Sequence, residues 1–123
     1  MEHEGGALGH TISRHVGQSD EQMLARLSAP KAPARASTFH NIKYAELLIS
    51  DTLSVKIYQL ESALKYMQAG SRLRLDHRFT LPVGRYIDKG TTSVKKAYGL
   101  RIIIEAKKFG DKTYYLVTAY PVP

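Results

Sequence analysis

The fold of this chain follows from residues 98 to 120, YGLRIIIEAKKFGDKTYYLVTAY. Two runs of largely alternating apolar and polar residues flank Gly110-Asp111, a dipeptide suited to a tight hairpin turn. We therefore expect two antiparallel strands, over residues 98–107 and 113–120.

The position of the turn also predicts the register of this hairpin. Arg101 should face Tyr120, and Ile103 should face Thr118, because facing residues share one side of a sheet. The core side should carry the apolar residues Leu100, Ile102, Ile104, Val117 and Ala119. The other side should carry Arg101, Glu105, Thr118 and Tyr120.

Helices are expected before this hairpin. Ser19 and Gln22 have the spacing of a capping box, which predicts a helix over residues 20–27. Further along, apolar residues from Ile42 to Met67 recur at three- and four-residue steps, the spacing of a buried helical stripe. We expect one long helix there, or two that are separated at Ser50-Asp51.

The spacing of apolar residues changes after Gly70. In residues 72–75 every second residue is apolar, which predicts a strand, and residues 81–87 form a second extended run. Residues 28–37, rich in proline, alanine and basic side chains, are expected to form a surface loop. Because helices come first and strands second, the chain is predicted to be an α+β protein with an antiparallel sheet.

Length and composition restrict the possible classes of protein. At 123 residues and 43% hydrophobic content, the chain suits one domain, over residues 9–123, after a flexible Gly-rich lead-in at residues 1–8. There is no cysteine, which excludes disulfides, thiolate metal sites and cysteine nucleophiles. No apolar run is long enough for a transmembrane helix, and the first residues lack the features of a signal peptide.

The charge predicts a polyanionic partner. Eighteen Lys and Arg residues against 11 Asp and Glu residues give a net charge of +7. A positive field attracts phosphate, and the release of counterions adds affinity. RNA, DNA, an anionic membrane surface and an acidic protein all fit this charge.

Histidines are the first candidates for chemistry. His15 could transfer a proton, because imidazole titrates at a pH of about 6.5, although an exposed or helix-capping histidine is the alternative. His10 is five residues away, on a different face of any helix. The histidine spacing fits no zinc motif, so we expect metal-independent chemistry. The alternative metal ligands are Asp76, Asp88 and Glu105, which show no grouped spacing.

RNA can be cleaved without a metal. Its 2′-hydroxyl attacks the neighbouring phosphorus when one group removes its proton, another protonates the leaving oxygen, and a cation stabilises the phosphorane. Arg26 has planar donors that match phosphate oxygens, although an exposed arginine at a helix C-terminus is the more common case. Thr118 and Tyr120 share one strand face and could bind phosphate or relay a proton, but both residue types are also common in strands.

Several short motifs carry a resemblance to a known family. They are Gly9-His10-Thr11, His15-Val16-Gly17, Ser19-Asp20-Glu21, Leu24-Ala25-Arg26, Pro82-Val83-Gly84-Arg85 and Thr118-Ala119-Tyr120-Pro121. In these motifs the chain resembles the bacterial ribonuclease A-like toxin domains, which lie at the C-terminus of contact-dependent growth inhibition proteins. The resemblance implies helices packed on a curved antiparallel sheet without disulfides.

The resemblance also implies an activity and its residues. RNA would be cleaved through a 2′,3′-cyclic phosphate, without a cofactor. The catalytic residues would be His15, Arg26, Thr118 and Tyr120. Apart from the resemblance, we expect His10, Arg85 and Arg101 to bind the substrate. Tyr120 stands where the vertebrate enzymes have a second catalytic histidine, which leaves the assignment of acid and base open.

Partners and location follow from the same resemblance. We expect a monomer that acts on RNA, has no membrane partner, and is neutralised by an acidic cognate immunity protein. It would be secreted as part of a larger toxin and delivered into the cytoplasm of a target bacterium. The alternatives are a basic RNA-binding module without catalysis and a protein-interaction domain.

Overall fold

The computed structural model describes residues 15–110 and 112–123. In these residues the helices are α1 (Asp20–Leu27), α2 (Ile42–Val55) and α3 (Ile57–Leu64). The strands are β1 (Arg35–Phe39), β2 (Arg72–Arg78), β3 (Gly84–Asp88), β4 (Lys95–Ala97), β5 (Gly99–Ala106) and β6 (Tyr114–Val122). The expected lead-in at residues 1–8, His10, and Asp111 of the hairpin turn lie outside the described residues.

The strands form two antiparallel sheets, in the orders β1-β3-β4 and β2-β5-β6. The predicted α+β fold is therefore confirmed, with its strands divided between two sheets. Strand β6, at the edge of the second sheet, contacts β1 and β3 of the first. Side chains from both sheets consequently meet along β6.

Two apolar clusters hold the layers together. In the larger one, Leu48 and Leu60 of the helices pack against a sheet face that includes Leu75, Ile102 and Ile104. Leu48 is 8% exposed, and the other four side chains are almost fully buried. The smaller cluster joins α1 to β1 and β3 through Met23, Leu27, Ala36 and Ile87. Within the described part of the chain, no helix has the length and apolar character needed to cross a membrane.

The β5–β6 hairpin has the predicted register at the end that carries Arg101 and Tyr120. Arg101 pairs with Tyr120, and Ile103 pairs with Thr118. Beyond Ile103 the register shifts, so that Ile104 faces Leu116. The prediction that Val117 faces Ile104 from the core side is therefore wrong, because the extra residue of this β-bulge interrupts the alternation of faces.

The capping box predicted at the start of α1 is confirmed, but the predicted position of the break between α2 and α3 is wrong. The capping box is present, with Ser19 Oγ accepting from the Gln22 amide at 3.1 Å and Gln22 Oε1 accepting from the Ser19 amide at 2.8 Å. The helix does not break at Ser50-Asp51, since these exposed polar residues suit the solvent face of a continuous helix. The interruption is at Lys56.

The predicted loop over residues 28–37 ends early, because β1 begins at Arg35. Its residues pair with β3, with Thr38 opposite Arg85, and Ser37, Thr38 and Phe39 are buried. Pairing and burial make this segment a strand even though the preceding residues are rich in proline and alanine.

Candidate active site

The segment after His15 is bound to strand β1. Val16 forms a parallel bridge with Phe39, whose carbonyl oxygen accepts from the Gly17 amide at 3.2 Å. The next amide, of Gln18, donates to Thr38 Oγ1 at 3.0 Å. These bonds hold the backbone beside His15 against a buried strand.

Helix α1 brings Arg26 to the same region. Met23 and Leu27 are buried under the helix, whereas Arg26 lies exposed in its last turn. Among the described residues, Arg26 makes no ion pair. Its guanidinium therefore has donors available for an anion.

Strand β6 contributes the two hydroxyl side chains. Thr118 and Tyr120 are two residues apart and point to the same face of the strand. The rings of His15 and Tyr120 are close, with 5.6 Å between their centroids and 41° between their planes. Residues near the two ends of the described part of the chain thus meet at this pair of rings.

These side chains line one cleft of about 690 Å³. Its lining includes His15, Arg26, Arg35, Ser37, Arg101, Thr118 and Tyr120. All four predicted catalytic residues and the predicted substrate-binding residue Arg101 are therefore brought together. Their roles stay predictions.

Arg101 occupies the centre of a row of three polar residues across the sheet. It faces Asp76 on β2 and Tyr120 on β6. The Arg101 guanidinium donates to both carboxylate oxygens of Asp76, at 2.9 and 3.3 Å. This hydrogen bond to Asp76, supported by Tyr120, raises the pKa of Arg101 above its ordinary value. A fixed positive charge therefore lies beside the Tyr120 hydroxyl.

Arg85 has a different environment from the other predicted residues. Its Nε donates to Asp20 Oδ1 at 3.0 Å, and its Nη2 donates to the carbonyl oxygen of Gln18. Arg85 is not among the residues that line the cleft. Its proposed contact with substrate stays a prediction, as does that of His10, which lies outside the described residues.

Arg35 and Ser37 line the cleft from β1 and were not among the residues predicted from the sequence. Arg35 Nε binds Asp88 Oδ1 at 2.7 Å, and its guanidinium lies 4.9 Å from the centre of the Tyr86 ring. The signal that could have identified them is the run from Arg35 to Phe39, where Thr and Phe favour a strand that presents alternate residues to one face.

The carboxylates considered as metal ligands are each bound to arginine. Asp76 binds Arg101, Asp88 binds Arg35, and Glu105 binds Arg72. In residues 15–110 and 112–123, no three histidine, aspartate or glutamate side chains are grouped so that they could hold a metal ion.

Comparisons with known proteins give a family and a similar structure. The model of the family described as bacterial CdiA-CT RNAse A domain matches residues 9–121. A chain in the crystal structure of a CdiA-CT/CdiI complex from Y. kristensenii 33638 is 31% identical, with a TM-score of 0.84. The match covers 94% of the present chain and 100% of that chain. No curated protein sequence matches significantly.

Proposed function

Because the chain belongs to the bacterial CdiA-CT RNAse A domain family, we propose that it is a toxin that cleaves RNA by metal-independent transphosphorylation. The observation that carries this proposal is the single cleft that gathers His15, Arg26, Thr118 and Tyr120. This reaction needs one group that removes a proton, another that donates one, and a cation, and these four side chains can supply them.

In the proposed reaction, the 2′-oxygen of RNA attacks the adjacent phosphorus and the bond to the 5′-oxygen breaks. The products are a 2′,3′-cyclic phosphate and a free 5′-hydroxyl. His15 exchanges a proton with the 2′-oxygen or with the leaving oxygen. Arg26, which makes no ion pair within the described residues, stabilises the charge of the phosphorane.

Thr118 and Tyr120 hold the phosphate or relay the second proton. Tyr120 is suited to this role because its ring lies against His15 and its strand position faces Arg101. The Arg101 charge, anchored by Asp76, favours a negatively charged group at this place.

The test uses purified protein and total RNA in excess chelator, followed by analysis of the new RNA ends. Wild-type protein should produce 2′,3′-cyclic phosphate ends, and His15→Ala should produce none while keeping the same circular dichroism spectrum. His40→Ala is the matched control, since His40 is exposed, stacks on Tyr44 and does not line the cleft. Binding of RNA without cleavage would favour the RNA-binding alternative instead.

Family membership also supports a neutralising partner. The similar structure is of a CdiA-CT/CdiI complex, and we propose that the present domain likewise has an immunity protein. An acidic partner suits the net charge of +7. We further propose that residues 9–123 act as a monomer, delivered by a larger secreted protein into the cytoplasm of a target bacterium. Co-expression with the proposed immunity protein should abolish RNA cleavage.

A further inference from the structure

An exposed aromatic side chain lies at the turn of the β5–β6 hairpin. Phe109 is 60% exposed, and neither apolar cluster includes it. The sequence around it is Lys107-Lys108-Phe109-Gly110-Asp111-Lys112, so lysines precede and follow the ring. Gly110 has a φ of 72°, in the left-handed region that glycine adopts without strain in a tight turn. An apolar ring is thus presented to solvent among positive charges.

The end of helix α3 lies beside this turn. Lys112 Nζ is 3.6 Å from Glu61 Oε1, and a Cβ atom at Gly110 would lie 3.8 Å from the carbonyl oxygen of Lys65. The next residue, Tyr66, is 79% exposed. The end of the helix therefore adds a second aromatic ring to the same part of the surface.

A third ring is supplied by strand β6. Tyr115 is 55% exposed, and Lys107 Nζ lies 4.7 Å from the centre of its ring. A cation–π contact of this kind keeps the ammonium group beside the ring. These exposed aromatic and basic side chains form what we call the tip surface: Tyr66, Lys107, Lys108, Phe109, Lys112 and Tyr115.

The tip surface is separate from the catalytic cleft. Ala106, the last residue of β5, is five residues from Arg101, a distance of about 17 Å along the strand. None of the six residues of the tip surface is among those that line the cleft. The two regions can therefore bind different partners.

The positive charges of the two regions also differ in kind. The cleft is lined by Arg26, Arg35 and Arg101, whereas the cations of the tip surface are all lysines. The planar guanidinium of arginine matches the phosphates of nucleic acids, whereas the lysine ammonium is a strongly hydrated point charge on a flexible stem. The tip surface is thus less suited than the cleft to bind RNA.

Lysines around exposed aromatic rings suit the surface of an anionic bilayer. Aromatic rings lie at the level of the lipid headgroups, and lysine stems pack on apolar surface while their ammonium groups stay in water. A negative lipid surface attracts clustered lysines. We propose that the tip surface binds an anionic phospholipid bilayer, with Phe109 inserted among the headgroups. This proposal does not depend on RNA cleavage, and it replaces the expectation of a domain without a membrane partner.

A single tryptophan can test the insertion of Phe109, because the chain contains no other. Phe109→Trp places the reporter in the turn. Leu81→Trp is the matched control, since Leu81 is 68% exposed in the segment between β2 and β3. Each variant is mixed with vesicles of equal parts phosphatidylglycerol and phosphatidylcholine, and with vesicles of phosphatidylcholine alone. We expect the emission of Phe109→Trp to shift to shorter wavelength with the anionic vesicles, and the other three mixtures to show no shift.

The contribution of the lysines is measured by sedimentation with the same anionic vesicles. Lys107→Gln combined with Lys108→Gln should weaken binding about 30-fold, because each lysine near an anionic surface contributes about fivefold. The matched control combines Lys95→Gln with Lys96→Gln, an adjacent pair of exposed lysines on β4 of the other sheet. It removes the same charge and should weaken binding by about twofold at most, because salt screens distant charges.

Several results would overturn the tip surface as a membrane site. One is the lack of a shift in Phe109→Trp with anionic vesicles. Equal shifts in both tryptophan variants, or equal losses from both lysine pairs, would show that the bilayer attracts the basic protein as a whole. A six-nucleotide DNA strand is the further probe, since a response of Phe109→Trp to this strand and not to vesicles would identify a nucleic-acid surface instead. Because Phe109→Trp changes one exposed side chain, its result stands even if the lysine variant does not fold.

Discussion

Thr38 and Arg85 face each other across β1 and β3, and both bind Gln18. Thr38 accepts from the Gln18 amide, while Arg85 donates to the Gln18 carbonyl oxygen and also binds Asp20. Gln18 lies three residues after His15. The geometry of this short segment thus depends on a pair of side chains outside the cleft, and we expect Arg85 to position His15.

Replacing Arg85 with methionine tests this positioning role. We expect a large decrease in kcat with little change in KM, because His15 would lose its fixed place while the phosphate contacts remain. Stability should fall by about 1 kcal/mol, since the Arg85–Asp20 pair is partly exposed to solvent. Steady-state kinetics and thermal unfolding measure the two effects. A rise in KM at constant kcat would instead indicate that Arg85 binds the substrate.

The Tyr120 hydroxyl is the second feature open to a direct test. Tyr120→Phe keeps the ring against His15 and removes only the hydroxyl beside Arg101. If the hydroxyl relays a proton, kcat should fall by about two orders of magnitude, with unchanged thermal stability. Tyr120→Ala should also lower stability, because the contact between the rings is lost.

A matched control for Tyr120 is Tyr58→Phe, since Tyr58 is 83% exposed on α3. It should retain wild-type kinetics. Wild-type activity in Tyr120→Phe would show that Tyr120 has only a packing role and that another group transfers the second proton.

Asp76 is expected to act through Arg101. Asp76→Asn keeps the shape of the side chain but removes the charge that anchors the guanidinium. Arg101 is then free to bind a phosphate, so RNA should bind more tightly at low salt, and its salt dependence should steepen by about 0.7 per added contact. At the same time kcat should fall, because the charge beside Tyr120 is no longer fixed. Binding titrations at several salt concentrations distinguish these effects.

The sequence predicted those parts of the site that depend on local chemistry. The capping box located α1 and hence Arg26, and the hairpin turn set the pairing of Arg101 with Tyr120. Both signals come from residues close together in sequence. In these two segments, the types of side chain were sufficient to predict the local structure.

The features that the sequence did not predict depend on distant contacts. Strand β1 forms because β3 pairs with it and because Phe39 is buried in the core. Neither contact can be predicted from the residues of the preceding loop. The bulge at Val117 and the break at Lys56 likewise depend on how whole elements pack. Arg35 was missed for this reason, since it reaches the cleft only through β1.

Gly84 shows how a motif residue outside the cleft contributes to the fold around it. A Cβ atom at Gly84 would collide with the carbonyl oxygen of Thr38 and would lie 3.0 Å from Cγ of Pro121. Gly84→Ala should therefore separate β3 from β1 and from the end of β6, and lower the free energy of unfolding by about 1–3 kcal/mol. Denaturant unfolding measures this loss.

Gly70→Ala provides the comparison for that measurement. Gly70 has a φ of 86° with no atom near its would-be Cβ, so alanine there meets backbone strain alone, at a cost of about 1–2 kcal/mol. Because Gly70 does not line the cleft, its variant should keep RNA cleavage once folded. Gly84→Ala should lose cleavage even under conditions where it is fully folded, since Thr38 binds the segment that follows His15. Equal cleavage by the two folded variants would show that the close approach of β3 to β1 serves stability alone.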